Sequence, residues 1–295
     1  MTTATRTRKD VEAEVTQKVL DALEQGTVPW AKPWRTAGLL PTSATTGKPY
    51  RGINTWLLSL AAFEAGFESP YWLTYRQARE FGGHVRKGEH GTLVVFWKRL
   101  EVKDPEAEDG TKVIPLLRSY WVFNLDQCDE VTMPPRFTPE EFEPLTPSQA
   151  VEAVLAGYED GPTVEHRRSD RAYYMPANDT VTLPAMDQWS DEVSYSSTLF
   201  HELTHSTGHP SRLDRFERNG EPQHFGSEKY AREELVAEMG ACLVAATTGT
   251  EYRVDQSASY VASWLRALKD DKSLVIKAAQ QAQRAVDRIL GTVVQ

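Results

Sequence analysis

Cysteine is scarce in this chain. Only Cys128 and Cys242 occur among 295 residues, which excludes a disulfide framework, and their wide separation excludes a zinc site built from paired cysteines. We expect both thiols to pack in the core of a protein that stays in the reducing cytoplasm.

Long hydrophobic runs are missing too. No stretch of about 18 apolar residues occurs, so we predict no membrane span and no membrane partner. The first ten residues, MTTATRTRKD, lack the apolar segment of a secretory signal. Hydrophobic residues make up 40% of the chain and aromatic residues 10%, which is typical of globular proteins. The length predicts one large domain or two ordinary ones.

Histidine is rare, with seven residues in all, yet two of them stand in the pentad His-Glu-Leu-Thr-His. On a helix, the spacing of four puts His201 and His205 on one face, where both imidazoles can bind a single metal ion. Glu202 lies on the same turn and can act as a general base toward a water in the site. H-E-x-x-H on a helix is typical of zinc metallopeptidases. Ser194, Ser196 and Ser197 are candidate helix-start residues, and Gly208 and Pro210 end the predicted helix.

A third metal ligand must come from elsewhere. The extended motif H-E-x-x-H-x-x-G-x-x-H fails because Ser211 stands at its last position. Residues 231–246 have helical periodicity and place Glu234 and Glu238 on one face. We assign Glu234 as the ligand and Glu238 as the acid that hydrogen-bonds a ligating histidine. Rival third ligands are Asp214, His224 and Glu233.

Three protein ligands with one open position form a catalytic arrangement rather than a structural one. We predict Zn²⁺ as the cofactor, although two histidines and a carboxylate also suit Mn²⁺ or Fe²⁺. Tyr195, His224 and Tyr230 are all candidate donors to a developing oxyanion, and the spacing does not select among them.

Residues 171–184 predict two short strands around a turn at 176–179. Tyr173 and Tyr174 would lie on a strand that either pairs with an extended peptide substrate or packs as an ordinary hairpin.

The N-terminal region predicts helices followed by an antiparallel sheet. The helices are expected at 10–25, ended by Gly26, at 53–66 with Asn54 as its cap, and at 73–83 with Thr74 as its cap. The strands are expected at 92–102 and 116–127, joined by an acidic, solvated tip at 103–110. The C-terminal region adds a helix from Pro147, capped by Ser148, and two helices within 259–290 that pack beside the metal-binding helices.

The chain is therefore predicted to be an α+β protein of two units. A small mixed domain spans 1–130, a proline-rich linker spans 131–148, and a metallopeptidase-like domain spans 149–295.

Charge is divided unevenly between these regions. Residues 1–100 carry 14 basic and 9 acidic residues, a net charge of +5, whereas residues 101–295 carry 19 and 33, a net charge of −14. This division indicates that the N-terminal region contacts a polyanion.

Six of the eight tryptophans precede residue 122, and several aromatic residues stand beside lysine or arginine. Binding of single-stranded DNA uses such a mixture, because aromatic faces stack on unpaired bases and cations follow the phosphates. The alternative is that these aromatics form a core beneath a charged surface. The candidate DNA-binding residues are Trp30, Lys32, Trp34, Arg35, Lys48, Tyr50, Arg51, Tyr75, Arg76, Arg86, Lys87, Trp97 and Lys98.

The chain resembles ArdC-type antirestriction proteins. In the N-terminal region the resemblance rests on GTVPWAKPW, TGKPYRGIN, LTYRQAREFGGHVRKGEHGT and YWVFNLDQ. In the C-terminal region it rests on YMPANDTVTLP, YSSTLFHELTHSTGH and YAREELVAEMGA. The resemblance implies a single-stranded-DNA-binding domain followed by a zincin-like metallopeptidase domain, in a protein that protects mobile DNA from restriction. His201, Glu202 and His205 carry over directly, and Glu234 carries over less directly.

Four functions follow from these features. The first is a zinc metallopeptidase that meets its protein substrates on single-stranded DNA. The second is a non-catalytic protein that coats single-stranded DNA and keeps a structural metal site. The third is a DNA-dependent protease for DNA–protein crosslinks, and the fourth is a zinc hydrolase that does not cut peptides.

Overall fold

The computed structural model describes residues 8–30, 40–103, 111–133, 144–216, 228–253 and 258–291. Helices and strands are both abundant in these residues, which confirms the α+β class. The helices are α1 (Arg8–Glu24), α2 (Ile53–Ala65), α3 (Tyr75–Glu80), α4 (Pro147–Gly157), α5 (Glu192–Ser206), α6 (Glu228–Thr248), α7 (Ala258–Asp270) and α8 (Leu274–Ile289). The strands are β1 (Thr42–Ser43), β2 (Tyr71–Leu73), β3 (His84–Val85), β4 (Thr92–Lys103), β5 (Thr111–Asn124), β6 (Cys128–Asp129), β7 (Thr163–Arg167), β8 (Tyr173–Met175) and β9 (Thr180–Pro184).

The N-terminal sheet has the strand order β1-β2-β5-β4. Its long β4–β5 hairpin is antiparallel, as predicted, but β1 and β2 pair in parallel, so the sheet is mixed. The second hairpin strand runs over Thr111–Asn124 rather than 116–127. It stops at Asn124 because that side chain caps a 3₁₀ turn, accepting a hydrogen bond from the backbone of Asp126. Apart from Lys103, the predicted acidic tip at 103–110 lies outside the described residues.

Helix caps agree with the sequence only in part. Thr74 caps α3 in a reciprocal capping box, as predicted. Asn54 does not cap α2, which begins after Gly52. The amide of Asn54 instead makes two hydrogen bonds with the backbone of Val95, at 2.7 and 2.8 Å. Helix α4 is capped by Thr146 and not by Ser148, because a proline at the first helical position makes the preceding residue the cap.

In the described residues, the C-terminal region combines a three-stranded sheet with the five helices α4 to α8. The sheet order is β7-β9-β8, which makes β8 an edge strand, antiparallel to β9 across the predicted turn. Helix α6 packs against α5, α7 and α8. The predicted pair of helices beside the motif helix is therefore confirmed in α7 and α8.

The two regions share one hydrophobic core. Helix α1 packs against α7 and α8, and the fully buried Trp30 meets Trp264 edge-on at 5.4 Å between ring centroids. Cys242, which is buried as predicted, contacts the carbonyl of Trp30, whereas Cys128 is half-buried. Side chains that precede residue 31 thus complete the interior of the C-terminal helices. Most of the predicted linker, residues 134–143, lies outside the described part of the chain.

None of the helices in the described ranges is long and apolar enough to cross a membrane.

Candidate metal centre

Helix α5 presents the H-E-x-x-H pentad in its C-terminal half, as predicted. Its N-terminus is fixed by Asp191 rather than by a serine, since the Asp191 carboxylate accepts a 2.9 Å hydrogen bond from the backbone of Ser194. That bond lowers the pKa of Asp191. The helix ends at Ser206, and the ring of Phe216 lies against Gly208 so closely that a Cβ there would sit 2.6 Å from the ring.

Helices α5 and α6 approach closely in the interior. A Cβ atom on Gly240 of α6 would lie 2.4 Å from Cγ2 of Thr204 on α5. Glycine at this position therefore allows the backbones to come together. Glu234 is carried on α6 one and a half turns before Gly240, and the close approach brings its carboxylate to the two histidines.

The three assigned ligands converge. Nε2 of His201 lies 3.1 Å from Nε2 of His205, and Oε2 and Oε1 of Glu234 lie 3.5 and 3.4 Å from these two nitrogens respectively. Donors bound to one tetrahedral zinc ion at about 2.0–2.1 Å are separated by about 3.3 Å. The spacing and the donor types therefore fit a divalent metal ion. In the described ranges this is the one group of three or more potential ligands.

Each histidine has a carboxylate on its other ring nitrogen. Nδ1 of His205 lies 3.3 Å from Glu233, and Nδ1 of His201 lies 3.6 Å from Glu238. Such contacts orient the ring and leave Nε2 as the metal-binding atom. Glu233 is therefore placed beside the ring and away from the ligand position. Of the other rivals for the third ligand, Asp214 is exposed and outside the cluster, and His224 lies outside the described residues.

Both outer carboxylates are held in turn. Two nitrogens of Arg215 donate hydrogen bonds of 2.7 and 3.1 Å to the Glu233 carboxylate. The hydroxyl of Tyr252 donates a 2.9 Å hydrogen bond to Glu238. Sequence reasoning missed both residues. Arg215 follows α5 in irregular backbone and Tyr252 follows α6, so neither carries a periodic signal that links it to the site.

Burial and charge oppose each other within the cluster. Burial acts to lower the pKa of His205, but Glu233 and Glu234 outweigh it and raise the pKa well above its ordinary value. Burial acts to raise the pKa of Glu234, but its contacts with His201 and His205 outweigh that effect and lower it. Glu234 is therefore ionised at neutral pH and offers an anionic oxygen to a metal ion.

Glu202 is buried, with 8% of its surface exposed, and its charge contributes to raising the pKa of both neighbouring histidines. Tyr195 lies two helical turns earlier on the same face. Its hydroxyl is 3.1 Å from Nε2 of His166. Tyr230, at the start of α6, is half-buried.

A second buried arginine joins the helix end to the small sheet. The side chain of Arg212 is 1% exposed and donates to the carbonyl of Ser206, to the Asp179 carboxylate and to the hydroxyl of Tyr174. Tyr174 thus faces inward, while Tyr173 on the same edge strand is 37% exposed. Arg212 was also missed by sequence reasoning.

The predicted DNA-binding residues differ in their exposure to solvent. Trp30 is in the core at 0% exposure, so no base can reach it, and Tyr50 is half-buried, which raises its pKa to about 12. Lys48, Lys87 and Tyr75 are exposed. Lys32, Trp34 and Arg35 lie outside the described residues, and so do the side chains of Trp97 and Lys98.

Three arginines that were predicted to contact DNA form ion pairs with acidic side chains of the protein. Arg51 pairs with Asp287 at 2.5 Å, Arg76 pairs with Glu80 at 2.7 Å, and Arg86 pairs with Glu89 at 3.0 Å. Exposed aromatic residues of the β4–β5 hairpin that sequence reasoning did not select are Phe96, Tyr120 and Trp121. Tyr120 and Trp121 are adjacent on β5, and only the register of the hairpin shows which of them shares a face with Phe96.

Two family models match the chain in succession. Residues 9–123 match the N-terminal domain of anti-restriction factor ArdC, and residues 149–281 match the zincin-like metallopeptidases. The second match contains the whole cluster of His201, His205 and Glu234. The C-terminal region is therefore a zincin-like metallopeptidase domain with a metal site.

Curated relatives extend across both units. The protein y4eC of Sinorhizobium fredii (strain NBRC 101917 / NGR234) is 35% identical over 293 residues, which are 96% of this chain and 92% of that protein. A DNA primase TraC of Escherichia coli is 36% identical over 302 residues, again 96% of this chain. The match covers 20% of that primase, so the chain spans about a fifth of its length.

Solved structures share the fold. The metal-free crystal structure of the antirestriction ArdC protein from the R388 plasmid has a TM-score of 0.79 and 42% identity, covering 95% of this chain and 96% of that one. Its Mn(II)-bound structure gives a TM-score of 0.78 and 41% identity over 95% and 97%. Since the likeness covers both units in the same order at this identity, the chain belongs to the ArdC antirestriction family.

Proposed function

We propose that this protein binds single-stranded DNA and cuts peptide bonds at the cluster of His201, His205 and Glu234. The observation that carries the proposal is the convergence of these three donors beside the buried Glu202, in the donor set of a catalytic zinc site. Zn²⁺ is the proposed cofactor. The same ligands suit Mn²⁺, and the Mn(II)-bound R388 ArdC structure supports that alternative.

A metal ion held by His201, His205 and Glu234 would supply Lewis-acid activation of water and of the scissile carbonyl. Glu202 is the proposed general base, which takes a proton from the attacking water and returns it to the leaving amine. Glu233 holds the His205 imidazole at Nδ1, and Glu238 places a carboxylate 3.6 Å from Nδ1 of His201. Tyr195 is the proposed donor to the oxyanion, because it shares a helix face with Glu202 and keeps its hydroxyl near the polar His166.

The substrate is proposed to bind as an added strand. Strand β8 (Tyr173–Met175) is an edge strand whose described pairing is with β9 alone, and it contacts α5. An extended peptide can pair with such an edge through main-chain hydrogen bonds. The exposed side chains of Tyr173 and Met175 would then contact alternate residues of the peptide.

DNA binding is assigned to the N-terminal region, residues 1–130, with 131–148 as linker and 149–295 as the peptidase unit. The excess of basic residues in the first hundred positions supports this assignment, as does the match to the ArdC N-terminal domain. The protein would act in the cytoplasm on strands that enter during plasmid transfer. It would protect them from restriction and cut proteins that it meets on the DNA.

Glu202→Gln tests whether protection of DNA requires proteolysis. This change keeps the size of the side chain and removes the base, so we expect metal content to be retained while peptide cleavage and protection of transferred plasmid DNA are lost. Glu192→Gln, an exposed position on the same helix, is the matched control. Full protection by the Glu202→Gln variant would contradict a role for the peptidase and would leave DNA coating as the function.

A further inference from the structure

Three aromatic residues form a continuous surface on one face of the N-terminal sheet. In the β4–β5 register Tyr120 lies opposite Val94, and Arg118 lies opposite Phe96. Partners across an antiparallel pair project to the same face, and so do residues two apart on one strand. Phe96, Tyr120 and Arg118 therefore share a face, and Tyr50 reaches it from the segment that precedes α2.

The rings contact one another in a row. The ring centroids of Tyr50 and Phe96 are 6.3 Å apart, and those of Phe96 and Tyr120 are 5.8 Å apart. Phe96 is 43% exposed and Tyr120 is 49% exposed. We call Tyr50, Phe96 and Tyr120 the aromatic strip.

The strip rests on a packed base. Tyr50 packs against a buried cluster composed of Leu58, Trp72, Val94 and Val122. The strip is therefore built on secondary structure and a filled core rather than on a loop. A rigid aromatic surface loses little conformational entropy when a planar ligand binds to it.

The charge near the strip is positive and unneutralised. Arg118 is exposed and forms no ion pair within the described part of the chain. Lys48, two residues before Tyr50, is also exposed. By contrast, Arg51, Arg76 and Arg86 are each paired with an acid.

We propose that the aromatic strip is the platform on which unpaired nucleobases stack, with Arg118 and Lys48 contacting the phosphates. The proposal rests on the single-stranded-DNA binding proposed above and names the residues that perform it. Ring faces on a sheet can reach bases only when these are unpaired, so the strip selects single strands over duplexes. Stacking on rings also tolerates any base sequence.

Trp121 supplies a matched control on the same strand. It is 47% exposed but lies on the opposite face of β5, opposite Leu93, with the ammonium of Lys18 5.9 Å from its ring centroid. Replacing Tyr120 and replacing Trp121 thus remove aromatic surface of similar exposure from the two faces of one hairpin.

The test is an anisotropy titration of the full chain with a labelled oligothymidylate of about 16 nucleotides. We expect Phe96→Ala and Tyr120→Ala each to weaken binding by about 5- to 150-fold, the loss of one stacked base, and Trp121→Ala to change it by less than about twofold. Arg118→Gln should lower the slope of log affinity against log salt by about one, whereas the aromatic variants leave that slope unchanged.

Tyr120→Trp gives an independent readout: if a base stacks there, binding should quench more fluorescence than in the wild-type chain, whose eight tryptophans supply the background. Normal binding by both strip variants would overturn the platform while leaving the proposed function intact. Equal losses in Trp121→Ala and Tyr120→Ala would also overturn it. A wild-type chain that does not bind the oligothymidylate would overturn the proposed function and the platform together.

Discussion

Arg215 and Glu233 form a bidentate ion pair beside His205 of the candidate metal centre. Nη2 of Arg215 lies 2.7 Å from Oε1 of Glu233 and Nε lies 3.1 Å from Oε2. Both side chains are nearly buried, at 6% and 10% exposure. The same Oε1 atom lies 3.3 Å from Nδ1 of His205, so the guanidinium fixes the carboxylate that orients the His205 ring.

Arg215→Lys is therefore expected to weaken metal binding. An ammonium group keeps the charge but cannot hold both carboxylate oxygens in one plane, so Glu233 and the His205 ring gain freedom. We expect metal affinity to fall by about 10- to 100-fold, measured by competition with a chelator. Arg253→Lys is the control, since Arg253 pairs with the helix-cap residue Asp191 at an exposed position. An unchanged affinity in Arg215→Lys would contradict this role.

The approach of α5 to α6 is tested by Gly240→Ala. Alanine favours the helix by about 1 kcal/mol relative to glycine, but its Cβ would overlap Cγ2 of Thr204. Overpacking costs about 1–3 kcal/mol, so we expect a net loss of stability and weaker metal binding. Thr204→Ser removes the overlapping methyl and keeps the hydroxyl. The double variant should recover stability in denaturant unfolding and affinity in metal titration. If the stability losses of the two single variants simply add in the double variant, the overlap with Thr204 is not their cause.

Local spacing explains how much of this site could be predicted from sequence. The histidines at 201 and 205 are one helical turn apart, and the acids at 234 and 238 repeat that spacing. Each pair is therefore predicted to lie on one face of its helix without knowledge of the fold. Arg215 and Tyr252 could not be found in this way, because they reach the site from irregular segments through tertiary packing. Trp30 was misassigned for a related reason. It stands in a segment that also contains Lys32 and Arg35, and only the packing of this segment against α7 places Trp30 in the core.

Asp179 and Arg212 make part of the stability dependent on pH. Hydrogen bonds from Arg212 lower the pKa of Asp179, so the stabilisation is present above the unfolded value of about 3.9. It is lost as the pH falls through the lower folded value. Asp179 has a φ of 50°, which asparagine also tolerates. Asp179→Asn should therefore cost about 1–3 kcal/mol at neutral pH, with a difference from wild type that shrinks below about pH 4.

Urea unfolding at a series of pH values measures this difference. Asp170→Asn, at an exposed position in the preceding loop, is the control and should unfold like the wild type throughout. A stability loss in Asp179→Asn that stays constant into the acid range would show that the ion pair is not its source.

Trp30→Ala distinguishes a core residue from a base-stacking residue. Trp30 is fully buried and packs edge-on against Trp264 of α7, so its removal should cost about 3–5 kcal/mol. Trp264→Ala should cost a similar amount, and the double variant should cost less than the sum, because the second change removes a contact that the first has already lost. Where the Trp30→Ala variant is folded, its affinity for single-stranded DNA should equal that of the wild type. If Trp30→Ala instead has normal stability and weak DNA binding, Trp30 belongs to the DNA-binding surface and not to the core. The same result would mean that the N-terminal segment does not complete the core of the peptidase unit.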